Sequence, residues 1–489
     1  MAAHRGRRGL RRVRALRPGP RPLPRSRPVV VTGAGAPARR AGGSRWTALR
    51  LALTGTLWPL PALAVALAVG LGVALPAVDE ALAYGDHPIT FVFGGGPSAA
   101  RTMLSAIASS LISVTTLLLS LTIVTLQLAS SQYSPRLLQT FVRDRVVQTC
   151  LGVLLGTFVY ALVVLRTVRS ADEDAGGAFV PRLSVSVAFV LTLASVAALV
   201  AFLNHQTRQL RAETMMRDVH AEASATLHRL ADQLADQPAG GLPAVPPHAR
   251  PVCARRSGFL VQVREDPLLD ALTATRTRLR LVPRPGDPVV EGTPVAWAWA
   301  DTPDPDTPDA GVPVDELAEV LDRGLLVAHE RQDEGDPSYG LRKLVDIVVR
   351  GLSPGINDPT TAVHALSHVS ALLGALASRS TWHRRVTDAS GAERLTVPSW
   401  EFAALLDLAL TQPRCYGHRD AAVVERLFAL LAETAWRTTA ADQRKAVDHQ
   451  RQLLVEQVSA APPVGRTRED VATWSARIGA ALAGDWPRP

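Results

Sequence analysis

A chain of 489 residues is too long for one ordinary domain, and a positive mean hydropathy of +0.11 beside 53 basic side chains requires apolar and basic residues to be segregated along it. The first fifty residues hold fourteen arginines, no lysine and no acid, so the net charge of +9 comes entirely from them and the rest of the chain is net acidic. Cys150, Cys253 and Cys415 are odd in number, far apart and without a CxxC pair, which excludes a disulfide framework and a cysteine zinc site.

Residues 1–50 are rich in Pro, Gly and Ala as well as Arg, as in Arg17-Pro18-Gly19-Pro20-Arg21-Pro22. Such a composition buries too little apolar surface to offset the entropy of ordering it, and the segment is expected to be a disordered tail. It reads either as an arm drawn to anionic headgroups or nucleic acid, or as a solvated arm that fixes orientation. No specific nucleic-acid partner is expected. An upstream start codon would leave the same signature. A cleaved signal peptide is not expected, because the first apolar run begins some fifty residues in.

Four uncharged apolar runs follow, at about Leu57 to Val78, Thr102 to Leu128, Val146 to Leu165 and Leu183 to Leu203. A run of about twenty apolar residues crosses the hydrocarbon core as a helix, the geometry that satisfies every backbone group without water. Residues 51–207 are therefore expected to form a four-helix transmembrane domain. Arginines crowd the segment before the first run, and Arg136, Arg143 and Arg145 lie between the second and third. Asp79, Glu80 and Asp86, and Asp172, Glu173 and Asp174, follow the first and third. By the positive-inside rule both termini are expected on the cytoplasmic side of a plasma membrane, and an even number of spans likewise puts them on one side.

The second run is the longest. From Thr102 to Pro135 no side chain is charged over 34 residues, roughly 51 Å as a helix against a core of about 30 Å. Thr102, Ser105, Ser109, Ser113, Thr116, Ser120 and Gln127 recur along it at helical spacing as a polar stripe. This stripe reads either as the lining of a wet, ion-conducting path or as a helix-packing surface of small hydroxyl side chains. Gly152 and Gly156 form a GxxxG pair in the third run, adequate for close contact with a neighbour. No run carries an acid, lysine, arginine or histidine at membrane depth, which argues against a proton-coupled pump or a voltage sensor.

Residues 208–236 read as an amphipathic connecting helix, with Leu210, Met215, Val219, Ala223, Leu227, Leu230 and Leu234 on one face. A Pro/Gly break at Gln237 to Pro251 precedes a small β module over 252–300, where Phe259 to Val263, Leu279 to Leu281 and Val295 to Trp299 are strand-like around Pro285-Gly286-Asp287. Its rhythm is similar to the hairpins of biotinyl and lipoyl-type modules, but the lysine site is missing and no cofactor is expected. Asp301 to Pro313 is a Pro/Asp-rich loop. Residues 314–483 read as a helical cytosolic domain, with helices at about Val314 to His329, Tyr339 to Leu352, Pro359 to Ser378, Pro398 to Leu410, Asp420 to Thr438, Ala440 to Val458 and Arg468 to Ala483. The expected fold is thus mainly α, four transmembrane helices followed by a cytosolic α+β region.

The densest motif runs from Asp336 to Ala362, DPSYGLRKLVDIVVRGLSPGINDPTTA. Leu341, Leu344, Val345, Val348 and Leu352 share a helical face, Ser353-Pro354-Gly355 ends it, and Asn357 or Asp358 caps a second helix with Pro359 at its first position. This phrase, with Ser130-Ser131-Gln132-Tyr133-Ser134-Pro135-Arg136 and the stretch from Leu151-Gly152 to Arg169, resembles the bacterial membrane family known as domain of unknown function 2254 (DUF2254). The likeness runs from about Trp46 to Trp474. It implies a four-span protein with a large cytosolic portion and no established activity.

Tyr339, Arg342, Asp346, Asn357, Asp358, Thr360 and Thr361 are candidates to line an anion, metal or small-ligand site near the turn, and capping, turn formation and ion pairing explain the same residue types. His364 and His368 share a helix face as two zinc ligands would, but no HExxH glutamate lies between them. There is no Walker A, no GxGxxG after a strand, no GxSxG and no kinase signature, so nucleotide-hydrolysis, dehydrogenase and kinase readings lack residues to carry them. The leading expectation is a non-enzymatic, homo-oligomeric membrane protein, a channel or transport component whose cytosolic helices gate or sense. One alternative is a membrane-anchored scaffold or signalling protein. Another is a membrane enzyme using Asp346 and Asp358.

Overall fold

Among the residues that the computed structural model describes, five helices are long and apolar enough to cross a membrane, four of them in the first half of the chain. They are α1 (Pro59–Leu82), α2 (Pro97–Gln132), α3 (Arg145–Leu165) and α4 (Arg182–Gln209). The structure describes residues 58–82, 93–132, 134, 136–137, 144–169, 179–209, 211–233, 242–301, 312–332, 335–378 and 383–486. The expected arginine-rich tail lies outside these, as does most of the Pro/Asp-rich loop.

The third helix holds this group together, because α1, α2 and α4 all pack on it. Gly152 and Gly156 of α3 face Ala64 of α1. A Cβ on Gly152 would lie 3.2 Å from the Ala64 methyl, and one on Gly156 would lie 3.4 Å from the Ala64 carbonyl oxygen. The GxxxG pair is therefore occupied by a neighbour within the same chain. Ser195 of α4 donates to Thr157 Oγ1 of α3 at 3.0 Å, and both side chains are buried.

Both ends of the group are fastened by a carboxylate. Asp79 of α1 accepts from the Leu183 and Ser184 amides, each at 2.9 Å, and from Ser184 Oγ at 2.6 Å, which satisfies the first turn of α4. At the other end Asp144 caps α3 by accepting from the Val146 amide at 2.8 Å, and its second oxygen lies 2.5 Å from His205 Nε2 on α4.

After α4 the chain turns at Arg211 into α5 (Ala212–Gln233), whose Met215, Met216, Val219, Ala223 and Leu227 are buried. They join a large core shared with α8 (Pro337–Gly351), α9 (Pro359–Ala377), α10 (Phe402–Gly417), α11 (Ala421–Arg437), α12 (Ala441–Ala460) and α13 (Arg468–Leu482). The fifth apolar helix is α9. Its Leu366, Val369 and Leu373 are wholly buried at the centre of this core, so protein covers its inward face.

Strands from the stretch between α5 and α8, joined by a hairpin that follows α9, form two sheets with their own core, built around Leu260, Leu272, Leu279, Ala296 and Leu321. One has the order β1-β5-β3-β8-β7, from β1 (Arg250–Cys253), β3 (Thr277–Leu281), β5 (Pro294–Ala300), β7 (Arg384–Thr387) and β8 (Glu393–Val397). Its β3 and β8 run parallel and its other pairs antiparallel. The other sheet is β4-β2-β6, from β2 (Gly258–Val263), β4 (Pro288–Val289) and β6 (Leu325–Ala328). Helices α6 (Glu265–Ala274) and α7 (Val314–Gly324) pack on each other beside them.

Three of these elements differ from the sequence expectation. The helix expected over Val314 to His329 stops at Gly324, where a Cβ would lie 2.8 Å from Leu268, and the chain continues as β6 along β2. Helix α6 was not anticipated. The β7–β8 hairpin interrupts the expected helical region and joins the first sheet through β3.

Candidate functional site

Helix α8 starts at Asp336, whose carboxylate accepts from the Ser338 amide at 3.0 Å with Pro337 at the first helical position. Leu341, Leu344, Val345 and Val348 then bury one face. Arg342 and Asp346, four apart, occupy another. There Asp346 accepts from Ser134 Oγ at 2.9 Å and pairs with Arg136 at 2.7 Å, while Arg342 donates to Gln412 of α10 at 3.3 Å. Leu137, one residue on, is 1% exposed and belongs to the core of the helical cluster. The chain leaving α2 is thus tied to α8 by a hydroxyl and an ion pair, and its Leu137 is buried in the core that α8 shares. Burial pulls the Arg342 guanidinium below its usual range, Asp346 opposes this, and the nearby cations Arg136 and Arg331 add to it. Two cations flank one carboxylate here.

One turn closer to the start of α8, Tyr339 and Lys343 are both buried, each 2% exposed. Lys343 Nζ is 3.1 Å from Glu222 of α5 and 4.9 Å from the centre of the Tyr339 ring, with Arg331 5.6 Å from the same ring. Arg331 in turn pairs with the buried Asp336 at 2.6 Å. Helices α5 and α8 approach so closely here that a Cβ on Gly340 would come within 2.4 Å of the Ala223 methyl.

The turn between α8 and α9 uses the remaining motif residues structurally. Asn357 adopts the left-handed conformation with φ of 49°, and its amide donates to the Ser353 carbonyl at 2.9 Å. Asp358 caps α9, accepting from the Thr361 amide at 3.0 Å and the Thr361 hydroxyl at 2.5 Å, and these bonds hold its carboxyl below the usual range. Thr360, in the same first turn, is exposed. Asp346 and Asp358 serve different partners and share none.

His364 is exposed on α9. His368, one turn on, stacks at 5.0 Å between ring centres and a 54° tilt against His220 of α5, and burial, with His220 and His364 nearby, holds it below the ordinary histidine range. Among the described residues, no group of three or more His, Cys, Asp or Glu side chains has the geometry to hold a metal ion.

On α2, Thr102, Ser105, Ser109, Ser113, Thr116, Ser120 and Gln127 all lie on the exposed side, opposite Leu104, Leu111 and Leu118, which pack in the interior. The hydroxyls of Thr102, Ser113 and Thr116 donate to the carbonyls of Ser98, Ser109 and Ile112 of their own helix at 2.9 to 3.0 Å. Among the described residues, no other helix covers the stripe.

Sequence reasoning missed Lys343, Glu222, Arg331 and the pairing of Arg136 with Asp346. One signal was available for the first, since Lys343 is one of only two lysines in a chain otherwise basic through arginine. The contact between the two quoted phrases left no local trace.

A mainly helical chain with several apolar helices and a polar half anchored to the longest of them is a membrane protein in its architecture. It belongs to the family described as "Predicted membrane protein (DUF2254)", whose model matches residues 54–433. The uncharacterized protein Mb1321c of Mycobacterium bovis and the uncharacterized protein Rv1290c of Mycobacterium tuberculosis are each 33% identical to it over 405 residues, 82% of this chain and 76% of the relative. No solved structure matches it.

Proposed function

We propose that the protein is a homo-oligomer of four-span subunits in the bacterial plasma membrane, with both termini cytoplasmic, in which the polar stripe of α2 lines the contact between subunits or a path at their centre. In this reading it is a channel or transport component, and the half that begins with α5 is its cytosolic gate or sensor. The observation that carries the proposal is the outward placement of the seven polar side chains on α2. Facing lipid, the Gln127 amide would lose its hydrogen bonds to water at a cost of a few kcal/mol, whereas a second copy or a wet path satisfies it. The anchoring of Ser134 and Arg136 on Asp346 of α8, with Leu137 buried in the same core, gives the cytosolic half a mechanical hold on α2.

Four spans are favoured over five because the inward face of α9 is covered by α5, α8 and α11, and because Ser370 of α9 hydrogen-bonds the charged Glu433. The test is cross-linking in native membranes. With Cys150, Cys253 and Cys415 replaced, Ser113→Cys should give a covalent dimer on mild oxidation and Ser195→Cys, in the protomer interior, should not. Equal yields from both would refute the reading. Flux through the protein in liposomes, with and without Ser113→Leu and Thr116→Leu, then separates a conducting path from a packing surface. A membrane-anchored scaffold would show the cross-link without the flux.

A further inference from the structure

Three turns close one end of the helical cluster. The turn from α8 to α9 meets the end of α10, where a Cβ on Gly417 would lie 3.1 Å from Leu352 and press on Val423 of α11. Helix α12 runs beside α10 in the same direction, Gln450 donating to Asp407 at 3.2 Å and Gln457 to the Arg414 carbonyl at 3.3 Å. The segment after α12 therefore reaches the same end, and there Arg466 pairs with Glu425 near the start of α11 at 2.5 Å. Each turn carries an uncovered apolar side chain: Ile356 is 45% exposed, Tyr416 59% and Val464 96%.

That end points toward the apolar helices. Helix α5 leaves α4 after a single turn at Arg211, and α8 runs against it, with Gly340 opposite Ala223 and Lys343 opposite Glu222. Helix α9 returns along α8 and sets His368, nine residues after Pro359, against His220, eight residues after Ala212. The starts of α5 and α9 are thus level. A second register agrees. Arg101 of α2 donates at 3.0 Å to the Val168 carbonyl just beyond α3, which sets Ile123 of α2 level with Val146, where the apolar run of α3 begins. From Ile123 α2 continues nine residues to Gln132, and Ser134 meets Asp346. Helix α8 then turns back five residues to Gly351, which leaves its final turn roughly 6 Å from the level where the apolar runs stop.

We propose that these three turns rest on the bilayer, with Ile356, Tyr416 and Val464 seated in the headgroup layer on the side where α4 ends. That layer is about 5–8 Å deep on each side of the hydrocarbon core, which matches the distance just given. Isoleucine and valine bury apolar surface there, and tyrosine suits the interface because its ring is apolar and its hydroxyl wet. Charge is not what draws them, since residues 350–358, 414–420 and 461–470 hold five arginines against four acids. Three of those acids, Asp358, Asp420 and Asp470, are occupied at the starts of their own helices. The docking rests on the four-span reading above, in which α9 does not cross. It gives the helical cluster a further hold on the membrane besides the α4–α5 link and the Asp346 contact.

The test uses the full chain in lipid nanodiscs, with Cys150, Cys253 and Cys415 replaced and the fluorophore NBD attached at Ile356→Cys, Tyr416→Cys or Val464→Cys. The control is Trp436→Cys, sixteen residues along α11 from Asp420 and roughly 24 Å from that end. A phosphatidylcholine with a nitroxide near the top of its acyl chain quenches labels seated about 5–10 Å into the headgroup and acyl boundary. It should remove at least half of the emission at the first three positions and leave the control unchanged. A thermal melt of each labelled protein within about 3 °C of the parent certifies its fold. Adding phosphatidylglycerol should not alter the result, and quenching that appears only with this anionic lipid overturns the apolar basis. Loss at none of the three positions overturns the docking and leaves four spans standing. Labels that are blue-shifted but unquenched assign the turns to a protein contact, such as a second copy, and overturn it as well. Quenching at Ile356→Cys alone overturns the docking together with the four-span reading, because a crossing α9 would keep its start at the bilayer edge and carry α10 to α13 to the far side.

Discussion

Lys343 and Glu222 show how much a single buried charge can decide. The lysine is 2% exposed while its partner is 41% exposed, so the ammonium is the desolvated member and depends on the carboxylate for compensation. Removing the anion alone should therefore cost more than removing the cation with its shape preserved. Glu222→Ala is expected to lower stability by about 1–3 kcal/mol, and Lys343→Met by less than about 1 kcal/mol, read from thermal unfolding in detergent. The reverse order would show that the pair is not what holds α5 to α8. His368 gives a pH signature at the neighbouring contact of α9 with α5. Its folded pKa is depressed by burial and by His220 and His364, so as the pH falls below the ordinary value of 6.5 the unfolded chain takes up the proton first and stability is lost through the folded pKa. Melting temperature should fall between about pH 7 and pH 5, and His368→Gln should make that fall shallower. Local chemistry made part of this region readable in advance. Asp358 before Pro359 announces a helix start by capping and fixed φ, and the structure places α9 there. The Lys343–Glu222 pair joins residues 121 apart, and nothing in either neighbourhood names the other.

Among the elements, α3 and α2 use small and polar side chains in opposite ways. Gly152 and Gly156 face Ala64 across a contact with no room for a larger group, whereas the Ser113 hydroxyl lies on the open side of α2. Gly156→Leu should force α1 off α3 and cost about 1–3 kcal/mol or more by overpacking, while Ser113→Leu should leave the melting of the isolated protomer within about 0.5 kcal/mol. Equal losses from the two, in detergent that keeps the protein monomeric, would mean that the α2 stripe packs within the chain. Apolar runs of this length were legible because composition alone marks them. The β7–β8 hairpin was not. Arg384-Arg385-Val386-Thr387 alternates poorly, and its pairing with β3 depends on a residue more than a hundred positions away. What closes it is the Asp388 carboxylate, which accepts from the Ser390 and Ala392 amides at 2.9 and 3.1 Å, with Gly391 at a φ of 82°. Helix α6 was hidden for a different reason, since ten residues carrying only Leu268 and Leu272 as buried anchors give too short a period to stand out from the strands around it.

For the molecule as a whole, the ends of the apolar group decide how it sits. Arg136, Arg145 and Arg208 lie near one end with the Asp144–His205 contact, and Asp79 caps α4 at the other. In the orientation proposed above, which follows the positive-inside rule, the first end would face the cytosol together with everything after α4. The competing arrangement turns on α9, which is also long and apolar enough to cross, although it is the shortest and least apolar of the five. If α9 crossed the bilayer, its Leu366 and Val369 would exchange the packed core of α5, α8 and α11 for lipid, and the polar helices on either side would have to part. That exchange gains no hydrophobic burial, because lipid tails are no more apolar than the core they would replace, and it strands Glu433 beside Ser370. Reporter fusions should therefore report cytosol after Gln209, in the segment 379–382 that follows α9, and at the C-terminus, and periplasm between α1 and α2 and between α3 and α4. A periplasmic signal from the segment after α9 would make that helix a fifth span, reverse the side of α10 to α13, and remove the anchoring of Arg136 on Asp346 as a link across the membrane surface.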